Sequence, residues 1–456
     1  MVELFRNPRR LLLFLFEGAL VTVLVVIAAC LRLGDIHRGL TDPNIAKKAM
    51  LFALIVQGAL YYAGMYDPAA QRSARAIYER VLRALALGSV ILLMSYYLLP
   101  RLKMGRGIYL VALALTALVL PAWRLLYDSV SQNTGFQRRA IILGNGSLAK
   151  EIAGMIRRNS GFGLELVGML ARDKAQVVQS EGVVGIYSEL FDLVMREQVQ
   201  LVLVAYPDRR GTLPVEQLLE VKFRGVEVEE GVDFYERTNG KIYVRELKPS
   251  QLIFAEGFTA RTTTRRLKRI LDVGISVFGL ILAAPLMVMT IIAIKLDSRG
   301  PVLYKQVRAG EFGTLFTILK FRSMKTDAEK GGAQFAKEND DRVTRVGRFI
   351  RKTRLDELPQ LWNVLKGEMS MVGPRPERPV FIEQLEQQVP FFKQRLYVKP
   401  GLTGHAQVRC RYGASAEDML EKLQYDLYYI KSYSVLFDLS IILDTVKVVL
   451  LRIGAR

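Results

Sequence analysis

The sequence is 456 residues long, half of them apolar (51%), with a formal net charge of +20. That length exceeds one ordinary domain, and the apolar share calls for membrane segments before any other fold reasoning. The charge surplus implies an anionic partner: nucleic acid, anionic lipid or a phosphorylated substrate. Two distant cysteines, Cys30 and Cys410, supply neither a disulfide framework nor zinc spacing. His37 and His405 are the only histidines, which argues against a catalytic histidine pair and a histidine-rich metal site.

In chain order, a long apolar run follows basic N-terminal residues without a small-residue cleavage site, so it reads as an anchor and not a removable signal. Four apolar stretches, Leu11–Leu33, Met50–Tyr66, Val81–Leu99 and Gly107–Leu126, each approach the roughly 20 residues a helix needs to cross a bilayer. Glu17 and Arg83 interrupt them; Arg83 lies near an end and can reach the interface. Buried core helices are the alternative, and four such runs in a row weigh against it.

Residues 138 to 255 change character. RRAIILGNGSLAKEIAGMI predicts a strand, a glycine turn and a helix. ELVGML and LVLVAY predict further strands, SELFDLVMREQ and VEQLLEVKF helices, and VEVEE a last strand. This alternation indicates a Rossmann-like parallel α/β sheet. Gly144, Gly146 and Ala149 form G-x-G-x-x-A at the first strand–helix turn. Such a turn can cradle a pyrophosphate, and it is also a common tight turn that binds nothing. The acid expected at the end of the second strand is poorly placed, since Asp173 lies past it.

A basic, Thr-rich connector leads into an apolar run from Leu271 to Ile294 with Pro285 in its middle. Proline removes a helix hydrogen bond and is expected to kink the run. Arg265, Arg266, Lys268 and Arg269 precede it; Lys295, Arg299, Lys305 and Arg308 follow. A spanning helix would put one of these clusters on the wrong side, so a re-entrant hairpin is favoured over a fifth span.

The remainder is mixed and basic. In VTRVGRFIRKTRL, Val343, Val346, Phe349 and Ile350 share one helical face and Arg345, Arg348 and Lys352 another, which predicts an amphipathic interfacial helix. Near the C-terminus, Asp438, Ser440, Asp444 and Lys447 are spaced as one polar stripe, again interfacial. Between them, Asp356 and Glu357 stand side by side among arginines. Thr353 ahead of Asp356 resembles a helix cap, with both acids in the first turn of the helix carrying LPQLWNVL. The functional alternative is that one carboxylate attacks phosphorus while the next holds a metal, and Arg351, Arg354 and Arg375 neutralise phosphate charge. Pro374 and Pro376 hold Arg375 on a stiff backbone, for presentation or merely as loop support.

KFRSM (320–324), TRLDELPQLWNVLKGEMSMVGPRPE (353–377), KPGLTGHAQV (399–408) and YDLYYIKSYS (425–434) together resemble the bacterial polyprenyl-phosphate sugar-1-phosphate transferases, the monotopic phosphoglycosyl transferases. The resemblance covers about 265 to 456, and the N-terminal parts resemble those of the larger members. It implies transfer of a sugar-1-phosphate from a UDP-sugar to undecaprenyl phosphate. UMP is released, and the product begins an exopolysaccharide or O-antigen unit. It further implies Asp356 as nucleophile of a covalent aspartyl-phosphosugar intermediate and Glu357 as a Mg²⁺ ligand. Lys320, Arg322, Arg351, Arg354, Arg375 and Asp426 are implied around phosphates or metal, and Pro285 as the helix-breaking proline. Two positions depart from the family: Ala284 where Ser often precedes that proline, and His405 where Trp is usual. His405, Cys410 and Trp362 are expected to pack.

The expected architecture is a multidomain α and α/β membrane protein: a four-helix transmembrane bundle (1–130), a Rossmann-like α/β domain (131–258) and a monotopic catalytic domain (259–456) with a re-entrant helix at 268–296 and interfacial amphipathic helices. Expected partners are UDP-sugar, undecaprenyl phosphate, membrane lipids and a second copy as a homodimer, at the cytoplasmic face of the bacterial inner membrane. A nucleic-acid role leaves the apolar spans unexplained. An NAD-dependent dehydratase or epimerase would need Tyr-x-x-x-Lys, which the sequence lacks. A scaffold role for the first 260 residues is compatible with catalysis in the rest.

Overall fold

The computed structural model describes residues 8–33, 44–66, 74–98, 100–131, 137–158, 163–174, 181–205, 213–247, 249–255, 257–259, 261–325, 341–410 and 415–450. His37 and the side chain of Lys447 lie outside them. The chain divides into two compact units, Met1–Gly231 and Val232–Arg456.

The first unit opens with four helices: α1 (Pro8–Leu33), α2 (Ile45–Tyr62), α3 (Ala74–Leu98) and α4 (Arg106–Ser131). Their shared core runs through Val21, Val25, Phe52, Val56, Leu60, Val81, Leu92 and Leu120. Helix α3 begins seven residues before the apolar stretch, because its first turns carry an i,i+4 ladder: Glu79 bonds Arg75 at 3.1 Å and Arg83 at 2.9 Å. Arg83 is therefore paired along its own helix. Glu17, the other interruption, is fully buried and ion-paired to Arg124 on α4, with Tyr66 Oη donating to it at 2.6 Å. A buried charge is tolerated only when paired in this way.

The same unit holds an open parallel sheet of β1 (Arg138–Leu143), β2 (Leu164–Ala171), β3 (Val183–Ile186), β4 (Leu201–Val204) and β5 (Glu227–Glu230), in the order β3-β2-β1-β4-β5. Helices α5 (Ser147–Arg158), α6 (Leu190–Arg196) and α7 (Val215–Phe223) intervene. Strand β3 was not expected, since VVGI is too short to carry a periodic signal. It is fixed by pairing Gly185 and Ile186 with Leu170 and Ala171.

The second unit begins one residue into α8 (Gly231–Asn239) and contains α9 (Pro249–Phe254) and the 36-residue α10 (Thr262–Asp297), with Pro285 inside it. A hairpin of β6 (Leu303–Ala309) and β7 (Leu315–Phe321) follows. Then come α11 (Arg345–Lys352), α12 (Gln360–Lys366), β8 (Ser370–Val372), α13 (Pro379–Gln388), β9 (Gly401–Thr403), α14 (His405–Arg409), α15 (Ala416–Lys431) and α16 (Val435–Leu450). Helices α1, α2, α4 and α10 are long and apolar enough to cross a membrane. The protein is thus a membrane-associated α and α/β chain.

Helix α10 has two faces. Phe278, Ile281, Leu282, Leu286 and Met289 are exposed, whereas Lys268, Asp272 and Ser276 are buried at i, i+4 and i+8. Lys268 Nζ binds Asp438 at 2.6 Å and Val372 O at 2.9 Å, and Asp272 accepts from Met371 N at 2.9 Å. Arg269 donates to the carbonyls of Val364 and Leu365, both at 2.6 Å, which closes the end of α12. Arg265 lies 3.8 Å from Glu311, so three of the four residues read as a basic flank have partners within the chain. At the other end, Ile294 packs on Phe321 and Ile350, and Asp297 accepts from Val346 N at 3.3 Å.

Helix α11 is amphipathic as expected, with Val346 and Ile350 on the core side, but the placement of Phe349 and the polar stripe of α16 need correction. On α11 only Gly347 and Ile350 are buried, while Phe349 is 62% exposed beside Arg345, Arg348 and Lys352; residues 349 and 350 point about 100° apart on a helix. On α16, Asp438 and Ser440 are buried, because Asp438 pairs with Lys268 and accepts from Tyr429 Oη at 2.8 Å.

Candidate functional site

The acid pair lies between α11 and α12. Thr344 caps α11, its hydroxyl accepting from Gly347 N at 2.9 Å. Thr353 does not cap the next helix; it closes α11, its hydroxyl donating to Phe349 O at 2.9 Å. The chain then turns at Arg354 (φ 60°, ψ 14°), a left-handed conformation that costs a side-chain-bearing residue about 1–2 kcal/mol. Asp356 and Glu357 occupy the following 3-10 turn, Leu355–Glu357, and α12 begins only at Gln360, after Pro359.

Three cations converge on one oxygen of Glu357. Arg375 Nη2 lies 3.0 Å from Oε1, Lys320 Nζ 3.3 Å and Arg354 Nη1 3.7 Å. Burial alone would raise the Glu357 pKa, but Lys320, Arg375 and Arg354 together hold it below the usual carboxylate range. Asp356 goes the other way. Burial, reinforced by the Glu357 charge, pushes it up, and Lys320, Arg351 and Arg354 offset only part of that. Burial also lowers Lys320, against the pull of Glu357. Neighbouring carboxylates are thus given different characters by their surroundings. Cations outnumber the two acids here, so the site has charge left for an anion.

The other site residues predicted from the sequence support this centre. Arg351 Nε donates to Ser323 Oγ at 2.8 Å. Arg322 donates to Ser298 O at 2.8 Å and Arg299 O at 2.9 Å, fastening β7 to the chain just after α10. Asp426 is buried and ion-paired with Arg395 at 2.8 Å. Arg395, unnoticed in the sequence, in turn donates to the carbonyl of Arg375 at 3.2 Å. Arg308 donates to Pro376 O at 3.0 Å, and Gly401 N to Pro374 O at 2.9 Å. The Pro374-Arg375-Pro376 loop is therefore clamped by long-range bonds as well as stiffened by its prolines. FKQRLY has no local signal that would have revealed Arg395.

Burial pushes Asp426 up to about 6 from an ordinary 3.8, against the pull of Arg395. A raised carboxyl pKa adds stability that is present below pH about 4 and lost as the pH rises through about 6. Asp426→Asn should accordingly flatten the pH dependence of the thermal midpoint across that window. An equally steep profile in the variant would reject this assignment.

His405 is a packing residue. Burial pushes it down to about 3, so the neutral ring donates Nε2–H to Gly240 O at 2.8 Å, against Tyr425 and Phe437. The Cys410 thiol is pushed up to about 12 by burial, which leaves it unreactive. Trp362, expected to pack, is instead 51% exposed on α12. In the first unit, Gly144 has φ 129°, which only glycine adopts readily; Gly146 faces open space and Ala149 is buried. That backbone accounts for the turn without a ligand. Asp173 is exposed just beyond β2.

Fold and site together define a membrane-associated α/β protein with a carboxylate pair ringed by cations. Comparison with known proteins is specific. Residues 263–452 match the bacterial sugar transferase family and residues 62–219 a CoA-binding domain family. The undecaprenyl-phosphate galactose phosphotransferase of Salmonella typhimurium is 30% identical over 375 residues, 77% of each chain. The UDP-glucose:undecaprenyl-phosphate glucose-1-phosphate transferase of Caulobacter vibrioides is 44% identical over 181 residues, 39% of this chain and 68% of that one. The UDP-N-acetylgalactosamine-undecaprenyl-phosphate N-acetylgalactosaminephosphotransferase of Aeromonas hydrophila is 47% identical over 190 residues, 42% of this chain and 45% of the relative. The chain belongs to the family of bacterial polyprenyl-phosphate sugar-1-phosphate transferases.

Proposed function

We propose that this protein transfers a sugar-1-phosphate from a UDP-sugar to undecaprenyl phosphate, releasing UMP, as the first membrane step of a polysaccharide unit. The convergence of Arg375, Lys320 and Arg354 on Glu357, beside buried Asp356, carries this reading. An Asp356 carboxylate oxygen bonds to the phosphorus bearing the sugar, and the phosphorus–oxygen bond to UMP breaks. A phosphate oxygen of the lipid then attacks the same phosphorus and frees the carboxylate. The cations neutralise substrate charge and are fixed before it arrives, so little reorganisation accompanies the reaction.

Among the described residues no three His, Cys, Asp or Glu side chains cluster as a metal cage. Mg²⁺ needs no such cage, since one or two carboxylates plus substrate phosphates and water suffice. The adjacent acids fit that donor set, with Glu357 as the residue that would hold the ion. When bound, Mg²⁺ would neutralise phosphate charge. Glu357 orients Lys320 and Arg375 in either case.

Both ends of α10 bond to the same unit, through Lys268 and Asp272 at one end and Asp297 at the other. This supports a re-entrant placement, with both ends on the cytoplasmic side of the inner membrane; a spanning helix would separate its ends across the bilayer. A cysteine introduced at Arg299 should be labelled only from the cytoplasmic side, and labelling from outside would overturn the topology.

The functional test combines purified protein, undecaprenyl phosphate, Mg²⁺ and a panel of UDP-sugars, with UMP release as the readout. No UMP from any donor would overturn the reaction. Arg354→Gly is expected to leave stability within about 1 kcal/mol of wild type, because relief of the left-handed residue is offset by added chain entropy and by loss of a cation at Glu357, yet to slow turnover. An equally active variant would remove Arg354 from the site.

A further inference from the structure

A shallow surface depression shares Arg375 with the acid pair. Its walls include Pro374, Pro376, Arg395, Gly310 and Leu396. Arg395 is 5% exposed, and its Nε has no hydrogen-bond partner. The segments that supply Gly310 and Leu396 also carry two rings. Phe312 sits at the tip of the β6–β7 hairpin and Tyr397 at the end of the 3-10 turn Phe392–Tyr397. Phe312 is 63% and Tyr397 55% exposed; their centroids are 6.2 Å apart and their planes inclined at 51°.

The β6–β7 turn, with positive φ at both Phe312 and Gly313, sets the Phe312 backbone but does not call for an exposed ring there. That backbone is left-handed (φ 54°, ψ 27°), which is rare and costly for a bulky residue, and the ring covers no core. The turn holding it is tight: Gly310 N donates to Thr314 O at 2.6 Å, and Thr314 Oγ1 to Glu311 O at 2.7 Å. The ring is thus presented outward by a rigid tip. Tyr397 is on the same turn as Arg395, which holds the Arg375 carbonyl. Tyr397, and through it the ring pair, is therefore linked by one short element to the loop that carries Arg375.

We propose that Phe312 and Tyr397 form the stacking platform for the pyrimidine base of the nucleotide donor, with its diphosphate directed to Arg375. This rests on the transfer reaction proposed above and names the donor subsite. Planar bases stack on aromatic faces whatever their edge pattern, and preorganised rings lose little entropy on binding.

The test uses the full-length protein in lipid nanodiscs, with two readouts. Equilibrium dialysis with radiolabelled UMP reports binding without turnover; steady-state kinetics give KM for the UDP-sugar and for undecaprenyl phosphate separately. Phe312→Gly suits the left-handed backbone and keeps the hairpin tip while removing the ring. Phe312→Gly and Tyr397→Ala should each weaken UMP binding about tenfold and raise the donor KM alike, with the acceptor KM unmoved. Tyr397→Phe, which keeps the ring, should bind UMP as wild type does. Unchanged UMP binding in both ring-deleting variants would overturn the platform. So would a rise confined to the acceptor KM, which would make the rings a lipid contact. If wild type transfers no sugar phosphate, the reaction reading fails, and UMP dialysis still judges the platform.

Discussion

Asp356→Asn is expected to abolish turnover, by at least about 10⁴-fold, while leaving the fold intact. The substitution keeps the shape of the side chain and removes the nucleophilic oxygen. It also removes a buried charge that its surroundings disfavour, since burial and Glu357 both push that carboxyl up. Stability should therefore hold or improve as activity vanishes, which separates a chemical role from a structural one. The decisive measurement is trapping of radiolabelled sugar phosphate on protein incubated with donor alone. Wild type should carry the label and the variant none; a labelled variant would reassign the nucleophile.

The second large effect is on stability. Asp438→Leu should cost about 3–5 kcal/mol, because it strands the Lys268 ammonium in the interior. Tyr429 also loses the nearer of its two acceptors, at 2.8 Å, and keeps Val372 O at 3.1 Å. Adding Lys268→Met to the same chain should recover most of the loss, since a buried ion pair replaced by apolar groups of similar size is often neutral. Thermal unfolding of wild type, the single variant and the double variant forms the cycle. If the double variant is no better than the single, the pair is not the source of the cost. Lys268 also binds Val372 O, two residues before Pro374, so the single variant should lose donor turnover as well.

Much of this was legible in the sequence because its signals are local. The alternation of strands and helices from Arg138 onward predicts the parallel sheet, and the apolar runs predict α1 to α4. Asp356, Glu357, Lys320, Arg354 and Arg375 were all singled out, and the structure gathers them. What stayed hidden depends on distant partners. Arg395 acts on Arg375, 20 residues away, and Lys268 on Asp438, 170 away; neither spacing leaves a periodic trace. The capping error at Thr353 has the same origin. Serine and threonine oxygens suit either end of a helix, and the left-handed Arg354 that decides the matter has no sequence mark in a non-glycine residue. The buried polar face of α10 was masked by its hydropathy, because three polar residues among many apolar ones look like noise until their partners are known.

The fastening of α10 at both ends bears on how the protein meets lipid bilayers of different thickness. A helix free at one end accommodates a thicker or thinner bilayer by tilting. Here Lys268 and Asp272 at one end and Asp297 at the other fix the inclination of the helix against its own unit. In the re-entrant placement proposed above, the bilayer would deform around the protein, and side-chain bonds, not acyl-chain length, would set where the acid pair sits relative to it.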